Sequence, residues 1–518
     1  MKKYIYFTVF ISGMTTLAVE LSASRLIGNI FGTSNLVWAA IIGLMLIYLT
    51  LGYFLGGKQA DKSPYAHSMY KILAWGAFTL GIVPYIASPV LRAAATAFDG
   101  LQVSVMMGAF AAVLILFSVP ITLLGMISPY AIRLNMDAPE RAGKISGNIY
   151  AISTLGSFVG TYLPVLILIP FIGTAKTFLV FSLLLLFVAL LGIYKSAGTR
   201  ATLPYVLMVV VIAILAIFNN GRGIKKTVGQ IYETESAYNY IEVLQNGTET
   251  HLRLNDGQGV HSVYDPDNLD YDGPWSQFLV GPFLNTSPHN PEDVQRIAII
   301  GLAAGTFAQQ ATAVYGEIPI DGYEIDPKII EVGKTYFGMD ELDNLNAYAE
   351  DGRYGLAHSP HQYDIIAVDA YRPPYIPWHM TTIEFFETTY EHLSPRGVLT
   401  INVGRLPNDR RLINAMATTI AEIYPSVYIM DIPYTLNSII YATKEPTNYH
   451  SLAENYNYLL ENTNSHPLLL NAIQTAWTYR APAYEKSTVF TDDKAPIEWI
   501  TNDMIIRFML GGDVNSLQ

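Results

Sequence analysis

Four carboxylates near the ends of predicted β-strands are the residues in this sequence most clearly arranged for chemistry. They are Glu324, Asp326, Asp351 and Asp369. The first two end a predicted strand at 318–326, and the last ends a predicted strand at 363–369. In an open α/β sheet the carboxyl ends of parallel strands meet at one edge, where ligands bind. Carboxylates at that edge can accept hydrogen bonds from the hydroxyl groups of a nucleoside.

A turn of small residues, 301–305 (GLAAG), joins a predicted apolar strand at 295–301 to a predicted helix. Glu324 lies 23 residues beyond Gly301, a spacing at which it can accept hydrogen bonds from both hydroxyls of a ribose. The third glycine of a dinucleotide-binding turn is absent, as is a phosphate loop. Gly301 and Gly305 are therefore predicted to border an adenosine carried on a sulfonium rather than NAD or ATP. Close helix–strand packing is the structural alternative.

The composition separates the chain into two parts. Of its 518 residues 51% are hydrophobic and 14% are charged, which is too apolar for a soluble enzyme of this size, and the apolar excess lies before about residue 220. A net charge of −12 without a basic stripe argues against a nucleic-acid partner. The chain has no cysteine, and its ten histidines lack metal-binding spacing, so no metal site is predicted.

The order of these patterns predicts the fold class. We expect a multi-pass α-helical membrane domain, then a small β-domain, then an α/β Rossmann-like domain of the class I methyltransferase type. The predicted boundaries are 1–221 for about seven transmembrane helices, 227–290 for the small β-domain, 291–445 for the nucleoside-binding domain and 446–518 for a C-terminal helical tail. Within the small β-domain, strands are predicted at 229–233, 240–245 and 250–254.

Seven apolar segments are long enough to cross a bilayer, which predicts a multi-pass protein of the cell membrane with lipid as a partner. They lie at about 4–28, 34–57, 69–91, 104–134, 145–171, 176–194 and 203–219. Glu20 and Arg25, in or at the end of the first segment, are interpreted as an ion pair inside the bundle. The pairs Gly52/Gly56 and Gly143/Gly147 are interpreted as sites of close helix packing.

The distribution of basic residues leaves the side of the soluble part open. Lys and Arg gather at the N-terminus and after the second, fourth and sixth segments, which places the N-terminus in the cytoplasm. Seven spans would then put the soluble part outside. Arg222, Lys225 and Lys226 follow the seventh segment, however, and favour the cytoplasmic side.

Nearly the whole chain resembles the membrane-fused spermidine synthases, or polyamine aminopropyltransferases. In the apolar part the resemblance rests on 17–32 (LAVELSASRLIGNIFG) and 52–61 (GYFLGGKQAD). In the soluble part it rests on 236–241 (SAYNYI), 254–262 (LNDGQGVHS), 323–327 (YEIDP), 351–353 (DGR), 363–369 (YDIIAVD) and 491–498 (TDDKAPIE).

The resemblance implies the transfer of an aminopropyl group from decarboxylated S-adenosylmethionine to a diamine such as putrescine. Asp369 would then act on the acceptor amine as a base or by orienting it. Nucleoside contacts would come from Asn239, Gly301, Gly305, Glu324, Asp326, Asp351 and Gly352. The adenosyl compound, decarboxylated or ordinary S-adenosylmethionine, is a cosubstrate, and no bound cofactor is expected. The expected partners are a small amine, the bilayer and a second copy of the chain as a homodimer candidate.

Three positions depart from the soluble enzymes and keep other functions open. Ala304 replaces an aspartate of the glycine-rich turn, Arg372 replaces a second aspartate after Asp369, and 275–277 (WSQ) replaces Tyr-His-Glu. These changes weaken the expected diamine site and favour an S-adenosylmethionine-dependent methyltransferase as one alternative. A transporter or sensor that binds a nucleoside or polyamine is the other.

Overall fold

A computed structural model describes residues 2–31, 35–99, 104–136, 138–218, 227–255, 259–371, 376–461 and 465–511. Among the residues discussed above, Arg222, Lys225, Lys226 and Arg372 lie outside these ranges. Residues 256–258 of the segment 254–262 also lie outside them. The chain divides into two compact units. The first contains 1–227, 233–240 and 255–257, and the second contains 228–232, 241–254 and 258–518.

The first unit is built from long apolar helices. They are α1 (Lys2–Phe31), α2 (Asn35–Lys62), α3 (Ala66–Asp99), α4 (Ser104–Gly125), α5 (Ile127–Asn135), α6 (Ala142–Leu163), α7 (Ile169–Ile172), α8 (Thr174–Ala197) and α9 (Thr199–Phe218). A 3₁₀ turn (Pro139–Arg141) precedes α6, and a π-helical turn (Pro164–Leu168) joins α6 to α7. Within the described ranges seven stretches are long and apolar enough to cross a membrane.

Packing inside this unit confirms one prediction about small residues and corrects another. A Cβ on Gly52 would lie 2.3 Å from the carbonyl oxygen of Thr122, so α2 approaches α4 at a distance that only glycine permits. Gly143 and Gly147 face no atom within 4 Å among the described residues, so they are not close-packing sites. The ion pair between Glu20 and Arg25 stays a prediction.

Arg25 lies against the backbone of the segment that follows the first strand. Its Nη1 donates to the carbonyl oxygen of Tyr238 at 2.9 Å, and its Nη2 donates to that of Ala237. The guanidinium therefore satisfies two carbonyl groups of the first unit. Backbone carbonyls are strong acceptors for a guanidinium, and sequence spacing along α1 gave no sign of them.

A four-stranded sheet follows the helices, in the order β1 (Gln230–Glu235), β2 (Tyr240–Asn246), β3 (Glu249–Leu254) and β4 (Val260–Tyr264). Strands β2, β3 and β4 pair antiparallel. Three of the four strands correspond to predicted ones. The fourth, β4, was not predicted because its run is short.

The large sheet carries the Rossmann-like fold. Its strands are β5 (Ile297–Ile300), β6 (Ile320–Tyr323), β7 (Leu345–Tyr348), β8 (Tyr363–Val368), β9 (Leu393–Gly404), β10 (Ser426–Asp431) and β11 (Asn437–Thr443). Their order is β10-β11-β9-β8-β5-β6-β7. Strands β7, β6, β5, β8 and β9 are parallel, whereas β11 is antiparallel to both of its neighbours. This is the arrangement of a class I methyltransferase-type sheet and confirms the predicted fold class.

Helices cover both faces of the large sheet. They are α10 (Thr306–Tyr315), α11 (Pro327–Tyr336), α12 (Gly352–His358), α13 (Ile383–His392), α14 (Arg411–Ala421), α15 (His450–Glu461), α16 (Pro467–Thr478) and α17 (Ile497–Gly511). A buried 3₁₀ segment, Trp275–Leu284, packs in the same core as β5, β8 and β11. Residues 479–496, between α16 and α17, contain no helix, although the tail was predicted to be helical.

The order of the strands places one candidate site. The chain reverses its winding between β5 and β8, and crevices at such a reversal open at the carboxyl ends of the strands. The residues that follow β5, β6 and β8 include Gly301, Glu324 and Asp369, so the fold brings these three to the same edge of the sheet.

Candidate active site

The turns after β5 and β8 touch through Gly301. The N–H of Asp369 donates to the carbonyl oxygen of Ile300 at 2.8 Å, as in a continued parallel ladder. A Cβ added to Gly301 would lie 2.6 Å from the carbonyl oxygen of Asp369, and Gly301 has a φ of +87°. Both the contact and the backbone angle require glycine. The turn predicted from sequence therefore lies directly beside Asp369.

We expect Gly301→Ala to destabilise the second unit more than a glycine replacement without the close contact. Gly247, at φ +65°, has nothing within 4 Å of an added Cβ among the described residues and is the matched control. The control carries only the cost of a left-handed residue, about 1 kcal/mol, whereas Gly301→Ala adds a steric cost and totals about 3 kcal/mol. Thermal unfolding of the detergent-purified protein measures both variants. Equal destabilisation would contradict the close approach.

Glu324 is held in place by two backbone groups. Its Oε2 accepts from the N–H of Ala303 at 3.0 Å, and its Oε1 accepts from the N–H of Asp326 at 3.1 Å. The residue is 8% exposed, and burial raises the pKa of its carboxyl group to about 7 although both hydrogen bonds oppose the shift. Each carboxylate oxygen keeps a second acceptor position, which is what two ribose hydroxyls require.

The small-residue turn carries no charged side chain at its middle. Ala304 is fully buried, and its N–H donates to the Ser262 hydroxyl at 2.9 Å. Gly305 begins α10 at φ +88°, and an added Cβ would lie 2.8 Å from the Met339 side chain. Ala303 has a φ of +48°, which is uncommon for a residue with a side chain. The position that carries an aspartate in the soluble enzymes therefore offers no charge here.

Asp369 faces a polar side chain that the sequence analysis did not single out. Asn402, near the end of β9, donates from Nδ2 to Asp369 Oδ1 at 2.8 Å. Burial raises the pKa of Asp369 to about 7, and the hydrogen bond from Asn402 opposes that shift. Within the described residues, Asn402 Oδ1 and Thr400 Oγ1 are buried without a hydrogen-bond partner. A polar ligand beside Asp369 would satisfy Asn402 Oδ1.

Asp326 and Asp351 both cap helices. Asp326 is fully buried and accepts from the N–H of Lys328 at 3.0 Å, which caps α11. Asp351 accepts from the N–H of Tyr354 at 3.0 Å through Oδ1, which caps α12. Capping is the structural role that acidic residues before a helix commonly have. It leaves the predicted nucleoside contacts of Asp326 and Asp351 as predictions.

Asp351 has a second partner. His379 Nε2 lies 3.0 Å from Asp351 Oδ2, and this hydrogen bond is the largest cause of a lowered pKa for the Asp351 carboxyl group. The next residue, Gly352, packs against β5, where an added Cβ would lie 2.5 Å from Ile300 Cγ2. The N-terminus of α12 thus lies beside β5, whose following turn holds Gly301 and Gly305.

Asn239 belongs to the first unit, where its Oδ1 accepts from Asn255 Nδ2 at 2.9 Å. Its predicted nucleoside contact stays a prediction. Arg372 lies outside the described residues, so its replacement of the second aspartate of the soluble enzymes stays a sequence observation. In the part of the chain that the structure describes, no three His, Asp or Glu side chains gather at metal-binding distances.

The chemistry available at this edge follows from two carboxyl groups. Both Glu324 and Asp369 have a pKa raised to about 7 by burial. A carboxyl group with such a pKa can take a proton at neutral pH, and two in one crevice are typical of a functional site. The Glu324 carboxylate already accepts from two backbone N–H groups, whereas the Asp369 carboxylate accepts one described hydrogen bond, from Asn402. Asp369 is therefore the better base.

Comparison with known proteins finds a family domain over these residues. Residues 293–454 match the spermine/spermidine synthase domain. The chain is 33% identical over 283 residues to a probable polyamine aminopropyl transferase of Bifidobacterium longum, over 52% of this chain and 61% of that protein. It is 27% identical over 210 residues to a polyamine aminopropyltransferase of Vibrio vulnificus, over 39% of this chain and 68% of that protein.

Among solved structures, a probable spermidine synthase from Corynebacterium glutamicum superposes with a TM-score of 0.39 at 18% identity, over 51% of this chain and 99% of that chain. The chain spans about three fifths of the length of the Bifidobacterium longum protein. The domain match includes the strands that precede Gly301, Glu324 and Asp369. The chain contains a region that matches the spermine/spermidine synthase domain and is similar to polyamine aminopropyltransferases.

Proposed function

We propose that the protein transfers an aminopropyl group from decarboxylated S-adenosylmethionine to a small amine, with a diamine such as putrescine as the leading acceptor. The observation that carries this proposal is the position of Asp369. Its carboxyl group has a pKa raised to about 7, beside the Gly301 turn and on the sheet edge that also holds Glu324. The spermine/spermidine synthase domain match over these residues supports the same reaction.

The proposed reaction is a single displacement. The nitrogen lone pair of the amine attacks the propyl carbon attached to the sulfonium, a C–N bond forms and the C–S bond breaks. Methylthioadenosine leaves as a neutral thioether, and the amine proton passes to Asp369. Because the sulfonium is already activated, the protein contributes alignment of the two reactants and removal of one proton. Asn402 Oδ1, buried without a described partner, would accept an N–H of the amine.

The nucleoside would lie across the small-residue turn. Glu324 would accept hydrogen bonds from the two ribose hydroxyls through the acceptor positions that Ala303 and Asp326 leave open. Asp351 and Gly352 would hold the adenine, as the family resemblance implies. Gly301 and Gly305 would border the adenosine because no side chain intervenes there.

Product analysis tests the proposal. The detergent-purified protein is incubated with decarboxylated or ordinary S-adenosylmethionine and with putrescine. Equal amounts of methylthioadenosine and spermidine are expected from the decarboxylated donor. Release of S-adenosylhomocysteine from the ordinary donor would instead establish methyl transfer, and binding without turnover would establish a nucleoside sensor.

The raised pKa of Asp369 predicts a pH dependence of turnover. Below about pH 7 Asp369 is protonated and cannot accept the amine proton, so kcat should fall about tenfold per pH unit on the acidic side. Above about pH 7 it should level off. Measuring kcat at saturating amine and donor removes effects on binding. A profile whose midpoint lies near pH 4 would contradict a base at this site.

Methyl transfer is the second candidate function, and Ala304 is the observation that favours it. The residue is fully buried and offers no charge where the soluble enzymes have an aspartate. A donor that keeps its carboxylate would lose no partner there, whereas a decarboxylated donor would lose one for its amine. Ala304→Asp should therefore lower KM for the decarboxylated donor if aminopropyl transfer is the activity.

We further propose that the helical unit lies in the cell membrane. Its seven long apolar stretches support this placement, and single exposed side chains such as Phe54, Phe171 and Phe218 would then face lipid. A homodimer stays a candidate assembly, testable by the mass of the detergent-purified protein.

A further inference from the structure

The C-terminal segment between α16 and α17 reaches the N-terminus of α12. Phe490 is fully buried, its N–H donates to Thr419 Oγ1 at 3.0 Å, and its carbonyl accepts from the N–H of Ile383 at 2.9 Å. Two residues later, Asp492 accepts from the Thr382 hydroxyl at 2.8 Å. Phe490 thus anchors the segment, and Asp492 occupies a fixed position beside it.

Asp492 forms a two-pronged ion pair with Arg353. Arg353 Nη1 and Nη2 donate to Asp492 Oδ1 and Oδ2, each at 2.7 Å. This geometry restricts both the position and the plane of the guanidinium, which a single hydrogen bond does not. The pair lowers the pKa of the Asp492 carboxyl group. Arg353 lies two residues after Asp351, in the first turn of α12.

Arg353 in turn holds the residue that contacts Asp351. Its Nη1 also donates to the carbonyl oxygen of His379 at 2.8 Å, and His379 Nε2 lies 3.0 Å from Asp351 Oδ2. Asp351 Oδ1 accepts from the N–H of Tyr354. Both carboxylate oxygens of Asp351 are therefore oriented, one by its own helix and one by a residue that Arg353 and Asp492 keep in place.

We propose that Asp492 is a positioning residue for the nucleoside site and acts through Arg353 and His379 on Asp351. The proposal rests on the proposed function, in which Asp351 holds the adenine. Asp492 need not touch substrate. It fixes the guanidinium of Arg353. The guanidinium in turn fixes the backbone at His379, and His379 fixes the direction of the Asp351 carboxylate. Support of this kind decides whether a binding group is held in the productive geometry.

The test compares two adjacent aspartates. Asp492→Asn removes one charge from the pair with Arg353, whereas Asp493→Asn removes the charge of an exposed neighbour. Affinity for methylthioadenosine, measured by calorimetry on the detergent-purified full chain, should fall on the order of tenfold in Asp492→Asn and stay unchanged in Asp493→Asn. Asp492→Glu should recover part of the loss. Thermal unfolding shows whether either variant is misfolded.

Hydrogen exchange of the segment 376–382 gives a second readout that needs no ligand. The N–H groups of Met380 and Thr381 bond to the carbonyls of Pro377 and Trp378, and they should exchange faster in Asp492→Asn if Arg353 no longer holds His379. Wild-type affinity and exchange in Asp492→Asn, with affinity lost in Glu324→Gln, would overturn this inference alone. Failure of the wild-type protein to bind methylthioadenosine would overturn the proposed function and this inference together.

Discussion

Replacing Asp369 by asparagine is expected to lower kcat about 10³-fold, because a positioned general base contributes about 10²–10⁴-fold to proton transfer. The change is nearly isosteric. The new amide can still accept the hydrogen bond that Asn402 donates to Asp369 at 2.8 Å, so the turn after β8 should keep its geometry. Affinity for methylthioadenosine should change little, because Glu324 and not Asp369 is expected to hold the ribose. Steady-state turnover and calorimetry measure the two effects separately.

The matched control is Asp343→Asn, which removes an exposed carboxylate from the loop before β7. It should leave kcat unchanged. A fall of less than about tenfold in Asp369→Asn would contradict the assignment of Asp369 as the base.

The same substitution should stabilise the protein at neutral and alkaline pH. Folding raises the pKa of Asp369 from 3.8 to about 7, so the folded state binds more protons than the unfolded state between those values. Stability of the wild-type protein therefore falls as pH rises through this window, and the loss is complete above about pH 7. An asparagine does not titrate, so the stability that Asp369→Asn gains over the wild-type protein should be about 4 kcal/mol larger at pH 8 than at pH 4. Equal thermal stability of the two proteins at both pH values would contradict the raised pKa.

Glu324→Gln is expected to weaken methylthioadenosine binding about 100-fold. Hydrogen bonds to a charged acceptor are worth about 1.5–3 kcal/mol each, and the two ribose hydroxyls would lose that charge. Glutamine also presents an N–H₂ group toward either Ala303 or Asp326, whose N–H groups now donate to the carboxylate. KM for the donor should therefore rise far more than kcat falls.

Glu317→Gln, an exposed residue before β6, is the control for loss of one acidic charge. Its affinity should equal that of the wild-type protein. If Glu324→Gln also bound with wild-type affinity, the ribose could not lie on Glu324, and the nucleoside would have to be sought elsewhere.

Local sequence patterns predicted the centre of this site well. Strand β5 is a run of four buried aliphatic residues, and the glycines of the turn that follows it mark backbone angles that other residues rarely adopt. Because β5, β6 and β8 are parallel neighbours, residues at their carboxyl ends meet at one edge of the sheet, independently of the rest of the chain. Gly301, Glu324 and Asp369 could therefore be grouped from the sequence alone.

Groups that arrive from far along the chain could not be predicted in this way. Asn402 lies 33 residues from Asp369, and Asp492 lies 139 residues from Arg353, so neither pairing leaves a local signal. Strand β7 was missed because it is a half-exposed edge strand of four residues with no apolar run. The carbonyls that Arg25 contacts leave no local signal either, since they lie more than 200 residues away.

The most direct test is a structure of the full protein with methylthioadenosine and an amine bound. We expect both ribose hydroxyls to lie within hydrogen-bond distance of the Glu324 carboxylate. We also expect the amine nitrogen to lie within hydrogen-bond distance of Asp369. A nucleoside bound away from the turn at 301–305, or an amine that does not reach Asp369, would contradict these expectations.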